Sequence, residues 1–256
     1  MIFETHAHYD DKRFDVDRDQ LLSSFPENQI QYVVNVGASL ETTKKSIELA
    51  KKYDFVYASV GVHPSETAEL NEENFQWLKS VLQEEKVVAV GEIGLDYYWD
   101  EPEKSIQKQW FERQMELAKE VKLPMIIHSR DAAKDTMDMI KDCKGYEAGG
   151  VIHCFSYGTE IAKEYLDMGF YIGIGGVVTF KNAKKLKEVV EYLPLDRIVL
   201  ETDCPYMAPE PHRGKRNSSL YIPHIAEMIG NLKGITAEEV IRVTNENAKK
   251  MYRIGD

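Results

Sequence analysis

Positive charge is scarce in this chain. Lys and Arg number 32 against 43 Asp and Glu, a formal net charge of -11. That balance argues against a protein that coats nucleic acid, whose affinity comes from neutralising many phosphates. It leaves room for an enzyme that meets phosphate at one local positive site, and it is also an ordinary aid to solubility. Cysteine is nearly absent. Cys143, Cys154 and Cys204 form no Cys-x-x-Cys pair, and such an odd, sparse set reads as reduced thiols in a cytosolic protein. No run of about 18 apolar residues occurs, so no membrane span is expected. The first residues, MIFETHAHYDD, carry neither the basic segment nor the apolar core of an export signal, which makes the cytoplasm the expected location. No GxGxxG motif follows the first apolar run, so a dinucleotide-binding fold has little support. Low-complexity tracts, long linkers and composition breaks are missing as well. At 256 residues, 43% of them hydrophobic, the chain suits a single domain over residues 1–256 with a sizeable core. Nothing in it points to an obligate protein partner.

What is present is an alternation. Short β-rich apolar runs lie near residues 2–6, 32–37, 55–62, 87–92, 124–128, 150–154, 170–174 and 197–203. Most are almost continuously apolar, as parallel strands buried on both faces must be. Helical spacing separates them. Residues 40–52 put Ile47 and Ala50 on one side and lysines on the other. Residues 104–121 put Ile106, Trp110, Phe111, Met115 and Ala118 on one face. Residues 160–168 and 182–192 repeat the pattern, and Thr236 with Glu239 predicts a capping box for a last helix over 237–251. Eight strands alternating with helices point to an α/β (β/α)8 TIM barrel, with an open doubly wound sheet as the alternative.

The polar residues fall where such a barrel would use them. His6 and His8 end the first run, His63 the third, Glu92 the fourth, His128 the fifth, His153 the sixth and Asp203 the eighth. In a barrel these ends converge on the one face where active sites of the fold lie. A lone histidine ending a strand is more often structural than a ligand. Burying His6, His8, Glu92, His128, His153 and Asp203 together is costly unless something neutralises and organises them. One or two divalent metal ions do this directly. Alternation along a strand lets His6 and His8 face the same way, half a metal cage, while the two oxygens of Glu92 can bridge a pair of ions. The mixed N/O set suits Zn, Mn, Fe or Ni, and Mg less well.

The segments ETHAHYDD, VGVHP, VGEIGLDYY, IIHSRDA, VIHCFS, LETDCPYMAP and HRGKRN, in this order, closely resemble the TatD family of metal-dependent deoxyribonucleases. The resemblance runs over essentially the whole chain. It implies a TIM barrel with a divalent metal centre and nuclease action on DNA, expected to be 3′-to-5′ exonuclease action on single-stranded ends. It makes His6, His8, Glu92, His128, His153 and Asp203 the metal ligands, in agreement with the reading of the residues themselves, and sets His63 near the substrate phosphate. Glu201 and Asp203 both match the family's ETD segment. The chain departs from the family pattern at three places: Glu4 where Asp is frequent, Tyr157 where Gly is frequent, and the pair Ser218-Ser219 where an acidic residue and Pro are frequent. Glu4 is expected to act behind the ligands, and the other two to alter loop shape and substrate preference.

The expected chemistry is metal-assisted phosphodiester hydrolysis. Asp203 takes a proton from the attacking water, Glu92 bridges the ions, and His63 binds a phosphate oxygen or protonates the leaving group. Arg213 and Lys215, with Arg216, offer a local phosphate contact in HRGKRN, although such charge runs are usually solvated loops. Arg130, after His128, is either a substrate contact or, with Asp131, a helix cap. Tyr97, Tyr98 and Trp99 could stack unpaired bases, or simply pack over the barrel mouth. Lys181, Lys184, Lys185 and Lys187 read as a solvated helix face and His224 as structural. Cys154 and Cys204 are expected to point away from the neighbouring ligands. Two rival functions stay in view: a metal hydrolase of a small amide, lactone or phosphoester, and a metal-bearing barrel that binds a partner without catalysis.

Overall fold

The computed structural model describes residues 1–255. Eight strands, β1 (Ile2–Ala7), β2 (Ile30–Val36), β3 (Val56–Val60), β4 (Val87–Asp96), β5 (Met125–Arg130), β6 (Gly150–Ile152), β7 (Tyr171–Ile174) and β8 (Ile198–Leu200), form one sheet in sequence order. Every neighbouring pair is parallel. The two ends of the sheet meet. Thr5 Oγ1 donates to Leu200 O (2.9 Å), and past the end of β8 the Asp203 N–H donates to His6 O (2.9 Å) and the His8 N–H to Cys204 O (2.9 Å). The sheet is thus a closed barrel.

Nine helices are found among the described residues: α1 (Arg18–Ser23), α2 (Leu40–Lys52), α3 (Glu72–Val81), α4 (Lys104–Val121), α5 (Ala133–Asp142), α6 (Thr159–Asp167), α7 (Lys184–Tyr192), α8 (Ile222–Lys233) and α9 (Ala237–Tyr252). None is long and apolar enough to cross a membrane. Helices α2 and α4 have the bounds that the periodicity predicts. The start of α2 is set by a reciprocal Ser39–Thr42 capping box, and its apolar side buries Ile47 and Ala50. Helix α4 buries Trp110, Phe111 and Met115. At α9, Thr236 accepts from the Glu239 N–H (3.2 Å), but the Glu239 carboxylate turns to Arg242 instead, so only half of the expected box forms. Helices α1, α3, α5 and α8 lie outside the segments that the spacing was expected to make helical.

Two apolar layers hold the barrel. The larger lies between the strands and the helices. In the smaller, Phe3, Val34, Ile126, Val151 and Val199 from five different strands meet one another and Met251 and Tyr252 of α9. Side chains of strands so far apart in the sheet can touch only inside a closed barrel. Strand lengths differ from the sequence expectation where the site begins. β6 stops at Ile152 and β8 at Leu200, so His153 and Asp203 sit on the turns beyond them. β4 runs on to Asp96, so Glu92 lies within a strand. Gly94 permits this: a Cβ there would lie 1.9 Å from His128 O, and its φ of +146° belongs to glycine.

Candidate metal centre

The six predicted ligands converge at one end of the barrel. His6 Nε2 and His8 Nε2 are 3.1 Å apart. Glu92 Oε2 lies 3.4 Å from the first and 3.8 Å from the second, and Asp203 Oδ1 lies 3.6 and 3.3 Å from them. The other oxygen of Glu92 faces a second group. Oε1 is 2.9 Å from His128 Nδ1, 3.7 Å from His63 Nε2 and 3.9 Å from His153 Nε2. Glu92 therefore divides its two oxygens between two sets of imidazoles, the arrangement expected of a bridging carboxylate.

Residues behind these orient them. His8 Nδ1 lies 3.0 Å from the carbonyl of Val36; a carbonyl only accepts, so Nδ1 carries a proton and Nε2 is the nitrogen that faces the centre. His153 Nδ1 is 3.1 Å from Glu201 Oε2, and Glu201 Oε1 accepts from the Cys154 N–H at 2.6 Å. Glu201 is wholly buried and occupies space that only a glycine at 173 leaves open, since a Cβ there would fall 2.3 Å from Oε2. His63 is arranged the opposite way from His8. Its Nδ1 accepts from the Ser65 N–H (3.1 Å), so in the neutral ring the proton sits on Nε2 and points into the cavity.

Electrostatics match this geometry. Burial acts to raise the Glu92 carboxyl, but His63, His6, His128 and His153 outweigh it and hold Glu92 well below the usual range. Burial acts to lower His8 and His153; Asp203 carries the first up to about 9, and Glu201 the second up to about 10. Burial and the neighbouring His128 drive His63 down to about 3, which keeps it neutral. The carboxylates thus hold protons on imidazoles that a cation would displace. His6 Nδ1 is buried with no hydrogen-bond partner. Ligand atoms of His6, His8 and Asp203, and of His63, Glu92 and His128, form groups within 4.8 Å. Nitrogen and oxygen donors at this spacing fit divalent ions. They open onto a cavity of about 810 Å³ lined also by Asp10, Asp96, Arg130, Trp99 and Tyr206.

A profile of the TatD related DNase family matches residues 3–253. The chain belongs to the TatD family. It is 45% identical over 255 residues to YabD of Bacillus subtilis, named an uncharacterized metal-dependent hydrolase, with 100% of both chains covered. To the 3′-5′ ssDNA/RNA exonuclease TatD of Cronobacter sakazakii it is 30% identical over 257 residues, covering 98% of this chain and 97% of the relative. The crystal structure of the TatD homologue YjjV of Escherichia coli superposes with a TM-score of 0.93 at 28% identity, covering 99% and 98% of the two chains.

Two departures from the TatD pattern touch each other. Glu4 accepts from the His6 N–H (3.2 Å), the Thr202 N–H (2.9 Å), the Thr202 hydroxyl (2.6 Å) and the Ser219 hydroxyl (2.9 Å). Burial raises Glu4 to about 8 despite these bonds. It stands behind His6, as expected. The Tyr157 hydroxyl lies 2.9 Å from Ser129 Oγ, beside His128.

The predicted substrate contacts divide. Arg130 lines the cavity. Arg213 is exposed and lies over the Phe180 ring (4.2 Å), Lys215 is exposed, and neither lines the cavity. Arg216 donates to Asp17 (2.7 Å) and to Arg13 O (2.7 Å), which ties the HRGKRN loop to the start of α1. Tyr97 packs the mouth, donating to Asp135 (2.7 Å), while Tyr98 and Trp99 stay exposed. His224 lies 5.2 Å from His212, which stacks on Tyr221. Lys181, Lys184 and Lys185 are exposed and Lys187 is half-buried.

One expectation is corrected. Cys204 is buried away from the cavity, but Cys154 lines it. β6 has already ended, and Cys154 sits in a left-handed turn (φ 45°), where strand alternation no longer applies. Asp96 escaped the sequence reading. Its Oδ2 is 3.1 Å from His128 Nε2. The Asp of GEIGLD was its only signal, hidden because the fourth strand was ended at Glu92.

Proposed function

We propose that this TatD-family metal-dependent hydrolase cleaves DNA phosphodiester bonds, removing nucleotides from 3′ ends of single strands. The observation that carries the reading is Glu92, with one oxygen toward His6 and His8 and the other toward His63, His128 and His153, beside Asp203 at the floor of an open cavity. The exonuclease name of the Cronobacter sakazakii relative supports the substrate. His6, His8 and Asp203 would hold one ion, His128 and His153 a second, with Glu92 shared between them. Divalent ions held there would supply Lewis acidity toward a water and the phosphoryl oxygens.

The chain's own groups do the rest. Asp203 lies at the cavity floor and accepts the proton of the attacking water. His63 donates its Nε2–H to a phosphate oxygen. It does not act as the acid for the leaving group, because the Ser65 N–H occupies Nδ1 and the ring cannot gain a second proton without losing that bond. Glu201 keeps the His153 ring in place. Arg130 brings positive charge to the wall.

A small-molecule hydrolase is the second reading, favoured by the net charge of -11 and by Asp10 and Asp11 in the cavity wall. The test is hydrolysis of end-labelled single-stranded DNA by chelator-stripped protein, with Mg, Mn or Zn restored singly and His128→Ala as control. Stepwise shortening from the 3′ end that needs both metal and His128 is the expected result. Turnover of a lactone, amide or small phosphoester without DNA cleavage would replace the nuclease reading.

A further inference from the structure

Three of the large hydrophobic side chains that this protein leaves exposed gather at the mouth of the cavity: Tyr98 (53%), Trp99 (58%) and Tyr206 (47%). Trp99 and Tyr206 line the cavity itself. They form two stations of the same design. Tyr98 follows β4; its N–H donates to Asp96 Oδ1 (2.9 Å), its ring carries the Arg130 guanidinium 3.7 Å from the centroid, and Trp99 meets it edge-on at 4.7 Å. Tyr206 follows β8; its N–H donates to Asp203 O (2.9 Å), and its ring carries the Arg13 guanidinium at 4.1 Å. Buried Asn217 braces this turn by donating to Tyr206 O (2.7 Å), and Asp11 clamps Arg13 with bonds of 2.9 and 2.8 Å. The Tyr98 N–H is thus tied to the carboxylate of Asp96, beside His128, and the Tyr206 N–H to the backbone carbonyl of Asp203, itself a candidate ligand. In a barrel ordered β1 to β8, the loops after β4 and β5 lie half a turn from those after β8 and β1. The candidate centre lies between the two stations.

We propose that these aromatic–arginine stations hold unpaired nucleobases on both flanks of the phosphate that is cleaved, so the preferred substrate is a single strand with a base on each side. The inference rests on the nuclease reading above. Every base has a π-face, so stacking on Tyr or Trp binds single strands with little regard to sequence, and a stacked arginine adds a cation–π contact. A chain of net charge -11 offers little to a phosphate backbone at large. Stacking then carries the affinity, and binding falls only slowly as salt rises. A duplex keeps its bases stacked on one another and offers these rings no free face.

The experiment uses the full chain. Binding of a short fluorescein-labelled oligothymidylate to chelator-treated protein is followed by anisotropy. Hydrolysis of the same oligomer and of bis(p-nitrophenyl) phosphate, a diester with no base, is followed with each divalent ion restored in turn. Tyr206→Ala and Trp99→Ala each weaken oligomer binding about 5- to 150-fold. Each also lowers kcat/KM for the oligomer relative to that for the small diester. Tyr206→Phe and Trp99→Tyr restore both quantities, whereas Tyr206→Leu, with bulk but no ring, does not. An abasic residue on one flank abolishes the effect of one station's variant and leaves that of the other. Ring variants that bind like the wild type, or that lose both substrates equally, overturn the stacking proposal and leave the nuclease reading standing. Ring-dependent binding without cleavage under any ion overturns the nuclease reading and keeps the stations. A wild type that neither binds nor cleaves the oligomer overturns both.

Discussion

Substituting Gly173 by Ala tests the reasoning about Glu201 directly. The added Cβ falls 2.3 Å from Glu201 Oε2 and 2.8 Å from Cδ, well inside any tolerated contact. A flexible side chain would step aside, but Glu201 is wholly buried and holds both His153 Nδ1 (3.1 Å) and the Cys154 N–H (2.6 Å). Relief of the clash therefore breaks one bond or both. Overpacking a core costs about 1–3 kcal/mol, and a buried polar group left without its partner about 1–3 kcal/mol more. Together that is a loss of about 2–6 kcal/mol, or about 4–24 °C in Tm at about 2–4 °C per kcal/mol for a chain of this size. Misplacing His153 also weakens metal binding about 10- to 100-fold, the usual consequence of losing a group that orients a ligand. Gly175 supplies the control. A Cβ there meets Glu201 O at 3.5 Å and Cγ at 3.7 Å, ordinary contacts, and its φ of -110° suits any residue. Thermal melts and metal content after dialysis against Zn or Mn are the measurements. Equal behaviour of Gly173→Ala and Gly175→Ala would refute the account of Glu201 as the part that positions His153.

Removing the His63 ring should lower kcat/KM on DNA about 10- to 150-fold, the worth of one hydrogen bond to a charged group, while metal content stays near the wild-type value. A His63→Ala protein that loses its metal instead would make His63 a ligand. Titrating Zn or Mn into chelator-stripped protein should raise Tm, by about 4 kcal/mol of stability at a thousandfold excess over Kd, and His6→Ala with His8→Ala should abolish the shift. The Arg13 hydrogen bonds hold the Asp11 carboxyl down to about 2, below the unfolded value near 3.8. Its contribution is present above about pH 4 and disappears as pH falls through about 2. Asp11→Asn should therefore cost at most about 1 kcal/mol at neutral pH, because Arg13 is part-exposed. The cost should shrink to a small fraction of that in urea melts at pH 2; a loss of equal size at both pH values would refute the ion pair as its cause.

Much of the architecture was legible without coordinates because parallel strands buried on both faces need continuous apolar runs, and these are visible one residue at a time. Helices α2 and α4 have the bounds that their apolar residues predict, because the side chains that pack on the barrel recur there every three or four positions. The His-x-His pair and the chemistry-bearing ends of the other runs were equally visible. A barrel brings strand ends together whatever lies between them, so chain order and polarity already located the candidate ligands.

Other features existed only once the chain had folded. Glu201 lies two residues before Asp203 in the sequence, but its buried carboxylate faces His153 from across β7, and the room for it comes from Gly173. Asp96 reaches His128 because β4 runs four residues past Glu92, which a close approach at Gly94 permits. Arg216 looked like a phosphate contact and instead pairs with Asp17, about two hundred positions away. Tyr206 and Arg13 show no relation along the chain and meet because the barrel closes between β8 and β1. Residue type and spacing, properties of the chain itself, determined the fold class and which side chains were candidates for the centre. Which atoms face one another, which charges are already paired, and which rings stay exposed depend on contacts between distant segments, and only the closed barrel decided them.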